Sequence, residues 1–178
     1  MAAVVPGRMA AQLDGDFVVF MVGMRINKWW KVHRWLPVFL AMRPMVKTLF
    51  QRPELGLLHV EYWLSPRGPM VVQYWRSVEQ LEAFARDPAL PHHPQWRAFN
   101  RAVGSSGDVG IWHESYLVRA GDWEALYANM PRFGAAAAGA LVPVTLRGNT
   151  AAERRRAGRA TADPAAPTGA TPAARDNS

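Results

Sequence analysis

The chain contains no cysteine. Disulfides and thiolate metal sites are therefore excluded, and a reducing, cytoplasmic setting is the expectation. Long hydrophobic runs are also missing: the stretch Phe17 to Met24 falls far short of the roughly 20 residues that a membrane span requires. The N-terminus lacks a signal-peptide pattern, so a soluble protein is expected. Acidic residues are scarce, 14 against 21 Lys and Arg, for a formal charge of +7. From Arg147 onward six Arg face three acids, and residues 25–52 hold seven cations and no acid. Such a basic stretch suits phosphate, an anionic substrate or peripheral contact with an anionic membrane. No nucleic-acid-binding motif accompanies it, and nucleic acid is not an expected partner. Large apolar residues are nearly absent after Leu146. Residues 136–178 are accordingly expected to be a mostly disordered Ala, Pro and Arg tail, and residues 1–14 a flexible N-terminus.

What remains is rich in core-forming side chains. Hydrophobic residues make up 49% of the chain, with eight Trp, enough for one folded domain over 15–135. Asp16 to Asn27 is a nearly continuous apolar run, the pattern of a strand covered on both faces. Residues 31–52 carry Trp35, Val38, Phe39, Met42, Met45, Val46 and Leu49 at helical spacing, with Pro37 and Pro44 expected to kink or split the helix. Leu57 to Leu64 and Met70 to Trp75 flank the turn formers Pro66, Gly68 and Pro69, which predicts a strand pair. Ser77 and Gln80 form a capping box ahead of Val78, Leu81, Phe84 and Ala85. Helical spacing resumes at Trp96, and a last strand covers Val109 to Val118. Asp122 is read as the cap of a short helix holding Trp123, Leu126 and Tyr127.

The order β-α-β-β-α-β is that of a ferredoxin-like α+β domain, an antiparallel sheet with two helices on one face. The strands carry large residues on both sides, so the face without helices needs cover. A second copy is the simplest cover, which predicts a homodimer with sheets facing each other, a dimeric α+β barrel.

Chemistry is expected on the last strand, where Trp112, His113, Glu114 and Tyr116 interrupt a run of strand formers. Burying an imidazole and a carboxylate is costly unless they are paired or used. Strand alternation places His113 on one face and Glu114 on the other, so the two do not make one dyad. The alternative is structural: His113 hydrogen-bonded in the core and Glu114 paired with Arg25 or Arg76.

The segments VVFMVGMRINKWW, VVQYWRS, HHPQWRAFN, VGIWHESYLV and YANMPRFG resemble a bacterial and fungal family whose members are commonly called monooxygenases. The resemblance covers about residues 15–135, and it lies within the wider dimeric α+β barrel group. That group includes antibiotic biosynthesis monooxygenases, haem-degrading monooxygenases and aldoxime dehydratases, with pockets between sheet and helices. The resemblance implies a small monooxygenase acting on a hydrophobic substrate, aromatic, polyketide or terpenoid-like. In cofactor-free branches Asn, Trp, Tyr and Arg side chains bind a phenolic substrate. By that likeness His113 removes a proton, Arg25 stabilises the resulting anion, and Tyr74 and Glu114 join the catalytic set. Asn27, Trp30, Trp75, Trp96 and Trp112 would then bind substrate. In haem-using branches a histidine on or near the second helix ligates iron. His92 and His93 fall in the comparable region and would bind haem if the protein uses one, which gives a second reading, a haem-binding dehydratase or a haem-dependent oxygenase. A third reading is a non-catalytic module that binds an apolar ligand.

Overall fold

The computed structural model describes residues 2–88, 101, 104 and 106–162, and for 41–48 and 162 the backbone alone. Its centre is a four-stranded antiparallel sheet in the order β3-β4-β2-β5, built from β2 (Phe17–Ile26), β3 (Leu57–Ser65), β4 (Gly68–Trp75) and β5 (Val109–Val118). Helices α1 (Val32–Gln51) and α2 (Val78–Arg86) connect these strands, as the ferredoxin-like order requires. The Ser77 hydroxyl accepts the Gln80 amide at 3.2 Å, the cap read from the sequence. Val18 and Trp75 of the sheet pack against Leu49 of α1 and Leu81 and Phe84 of α2. A neighbouring cluster joins Met24, Ile26 and Val109 to Val38. The helices therefore cover the sheet face that carries Val18 and Trp75.

Four expectations are corrected. Helix α1 runs unbroken from Val32 to Gln51 through Pro37 and Pro44. Val38 and Leu49, 1% and 2% exposed, anchor it on either side of Pro44, and this burial offsets the backbone hydrogen bonds that proline removes. The N-terminus is not loose: β1 (Val5–Gln12) is the middle strand of a second sheet, between β6 (Leu126–Met130) and β7 (Ala140–Pro143). Residues 126–130 are thus extended, where a helix over Trp123 to Tyr127 was expected. Pairing with β1 outweighs the local helical pattern.

The fourth correction concerns the tail. After a single turn, α3 (Ala135–Ala138), and β7, the chain forms helix α4 (Ala151–Ala162). Thr150 and Glu153 cap it reciprocally: the Thr150 hydroxyl accepts the Glu153 amide at 3.2 Å, and the Glu153 carboxylate accepts the Thr150 amide at 2.9 Å. Two of its arginines are tethers. Arg154, 7% exposed, donates to Glu124 at 2.6 Å, and Arg159 donates to Asp122 at 2.9 Å. A side chain on Gly121 would collide with Arg159, so glycine there is a condition of docking.

Candidate active site

Because side chains alternate along a strand, the register of the large sheet sorts the candidate residues by face. Val18, Phe20 and Val22 of β2 pair with Leu117, Ser115 and His113 of β5, and Val18 belongs to the core under the helices. His113 therefore lies on the helix-facing side, its ring centroid 5.8 Å from that of Phe20. It is exposed, as are residues 114–117, which corrects the reading of a buried strand. β5 is an edge strand, and strand-forming residues alone do not distinguish an edge from a centre.

The opposite face is a regular grid. Tyr116, Val19, Tyr74 and His59 form one row across the strands, Glu114, Met21, Val72 and Glu61 the next, and Trp112, Gly23 and Met70 a third. The Trp112 indole lies over Gly23, where a Cβ would come within 2.8 Å of it. Tyr116 donates to the Glu114 carboxylate at 2.5 Å. This bond, with the charge beside it, pushes the Tyr116 phenol above its ordinary pKa.

Arg25 follows Gly23 by two residues and shares its face; its Nε donates to Asn27 Oδ1 at 3.1 Å. Asn27 in turn donates to the Gly107 carbonyl at 3.0 Å. Neither Arg25 nor Glu114 is where the sequence reading put it: Arg25 turns to Asn27 and Glu114 to Tyr116. Arg25, Tyr74 and Glu114 stand across the sheet from His113, so the expected catalytic set does not surround one centre.

Two substrate-binding expectations also change. Trp75 is fully buried, donates to Gln73 at 2.8 Å and packs against Phe84, which makes it a core residue. Trp30 is 75% exposed, beyond the sheet in the turn ahead of α1. His92, His93 and Trp96 lie outside the described residues.

The structure assembles one cluster that sequence reading missed. On the grid face, His59 Nε2 lies 2.8 Å from Glu61, whose carboxylate also accepts the Gly134 amide at 2.9 Å. The Ala136 amide donates to the Tyr127 hydroxyl at 3.3 Å. Burial, with Tyr127 and Glu61 nearby, raises the pKa of Tyr74. Burial likewise raises that of Tyr127. The available signal was the spacing His59-x-Glu61, which puts imidazole and carboxylate on one face of a strand. The neighbouring pair His113 and Glu114 cannot meet for the same reason.

Part of the basic stretch is neutralised. Lys28 and Lys31 reach the Asp108 carboxylate at 2.8 and 2.9 Å, and Arg52 pairs with Glu54. The hydrogen bonds from Lys28 and Lys31 hold the Asp108 carboxyl down at about 2 against an ordinary 3.8, with burial opposing. A depressed carboxyl pKa stabilises the fold above the unfolded-state value and ceases to do so as pH falls through the folded one. The urea midpoint is therefore expected to drop between about pH 4 and pH 2, and Asp108→Asn should flatten that drop. An unchanged slope would show that the pair adds nothing to folding.

A family profile described as "Monooxygenase af470-like" matches residues 17–135. This chain belongs to the monooxygenase af470-like family. The matched region of this af470-like chain runs from the start of β2 to the first residue of α3, leaving β1, β7 and α4 outside it. A curated relative, "Monooxygenase af470" of Aspergillus fumigatus, is 30% identical over 153 aligned positions, which take in 72% of this chain and 53% of the relative. The chain thus spans about half the length of that protein. Among solved structures, an aldoxime dehydratase in complex with butyraldoxime superposes with a TM-score of 0.60 at 16% identity, over 78% of this chain and 42% of the other. A second aldoxime dehydratase structure gives 0.60 at 17%, over 78% and 43%. These likenesses establish that the af470-like chain shares its α+β fold with one part of the longer enzymes. Among the described residues no helix is long and apolar enough to cross a membrane.

Proposed function

We propose that the chain is, or forms part of, a monooxygenase for a hydrophobic substrate carrying an enolisable or phenolic group, with His113 as the base. The family name supports the reaction class. The observation that carries the site is the His113 imidazole itself, exposed on the helix-facing side and laid against Phe20, with Leu117 67% exposed on the same face. A titratable ring beside open apolar surface can take a proton from a carbon acid while aromatic contact holds the substrate.

In the reaction so envisaged, a methylene activated by neighbouring carbonyl or aryl groups gives its proton to His113. The carbanion reduces dioxygen, a C–O bond forms, and water leaves the hydroperoxide to give a ketone. One oxygen atom enters the product, the other becomes water, and the substrate supplies all four electrons. The protein contributes positioning and proton removal. A homodimer joined through the part of the grid face that residues 123–136 leave uncovered, where Tyr116 is 50% exposed, leaves the His113 side open.

The test is oxygen uptake by purified protein with a panel of hydroquinones and enolisable ketones, alongside an absorption spectrum of the same sample. The expected result is stoichiometric uptake with one labelled oxygen atom from dioxygen in the product. Binding without uptake would make the protein a carrier of apolar ligands. A Soret band accompanying activity would transfer the chemistry to haem and overturn the role given to His113.

A further inference from the structure

We propose that the N-terminal half of α1 and the turn before it seat the protein on an anionic lipid surface. Helix α1 has two apolar stripes. Trp35, Val38 and Leu49 point into the core, the ordinary inward face of an amphipathic helix. Val32, Leu36, Phe39 and Leu40 point outward, 46%, 38%, 37% and 48% exposed. Their spacing of i, i+4, i+7 and i+8 puts all four on one side of the helix. Trp29 and Trp30, 45% and 75% exposed, stand in the turn just before the helix, the Trp29 ring edge-on to that of Trp35 at 5.7 Å. The Trp35 indole donates to the Trp29 carbonyl at 3.0 Å, which fixes the turn on which both tryptophans stand.

The charges around the stripe select the occupant. Lys28 and Lys31, with side chains 40% and 36% exposed, and the exposed Arg34 flank it. Residues 25–52 contain no acid. The carboxylate that meets Lys28 and Lys31 is the single charge of Asp108, itself 2% exposed, so the rim stays positive. A second copy docking here would oppose two cationic rims, which like-charge repulsion disfavours. Anionic headgroups complement the rim, while Trp rings and an apolar stripe occupy the boundary between headgroups and acyl chains. The arrangement is that of a helix lying in the plane of the interface. It does not depend on the chemistry assigned to His113.

Flotation of the full chain with phosphatidylcholine vesicles, with and without phosphatidylglycerol, tests this. The protein is expected to float with the anionic vesicles, with a blue-shifted Trp emission, and to be released by high salt. The triple variant Trp30→Ser, Leu36→Gln, Leu40→Gln should bind about tenfold more weakly with an unchanged far-ultraviolet circular dichroism spectrum and urea midpoint. Trp30→Ser alone, in the turn, should weaken binding about threefold. Absence of flotation with either vesicle would overturn the proposal, as would equal flotation of the triple variant. Dissociation of a dimer by the same substitutions in solution would also overturn it, because a second copy would then cover the stripe.

Discussion

Trp75→Ala should lower the unfolding free energy by about 3–5 kcal/mol, the range for removing a fully buried large aromatic side chain. Trp75 closes β4 at the point where both helices meet the sheet, with no exposed surface and with Val18, Leu49, Leu81 and Phe84 in its cluster. Truncation leaves a cavity among residues from β2, α1 and α2 that cannot collapse without moving a helix. It also strands the Gln73 side-chain oxygen, which accepts the indole N–H at 2.8 Å and sits in a residue only 7% exposed. A buried acceptor without a partner costs a further ~1–3 kcal/mol, so the loss should fall near the top of the range. Trp75→Phe, which keeps a ring against Phe84 and gives up the N–H, should cost less than half as much. Urea unfolding measures both. A loss below about 1.5 kcal/mol for Trp75→Ala would mean that the cluster relaxes freely and that Trp75 does not organise the sheet and helices.

The large sheet was legible because its strands and helices carry periodic apolar residues. Phe17 to Ile26, the α1 stripe, the hairpin around Gly68 and the Ser77 cap each express in sequence what they do in the fold. The second sheet was not legible, because β1 and β7 hold few strand formers. Ala10 and Ala11 are buried, 0% and 4% exposed, as small residues that let chains lie close, and pairing partners more than a hundred residues distant supply the order. Helix α4 was partly legible: Thr150 and Glu153 spell a capping box. Composition masked it, because Arg and Ala read as a solvated tail while Arg154 in fact finds Glu124 across the fold.

At the site, alternation correctly separated His113 from Glu114. The same alternation sets Tyr74 and Trp75 on opposite faces, as it must for adjacent strand residues, and Arg25 on the face away from His113. Burial was the harder inference. An edge position is a property of strand order, and nothing between Val109 and Val118 reveals that β5 has a neighbour on one side only.

The claim that chemistry belongs to the helix-facing side, and to His113 there, is tested most directly by comparing His113→Gln with Glu114→Gln in steady-state oxygen uptake on the best substrate of the panel. The two residues are adjacent, both exposed and on opposite faces of one strand, so the substitutions disturb the same backbone equally and sample different sides of the sheet. Loss of a positioned general base removes about 10²–10⁴ in rate, and His113→Gln should lower kcat/KM by at least about tenfold even where solvent partly replaces the base. Glu114→Gln, which keeps a hydrogen-bond acceptor for Tyr116, should remain within about twofold of the parent. The reverse order, with Glu114→Gln inactive and His113→Gln unimpaired, would place the reacting centre on the grid face and contradict the account.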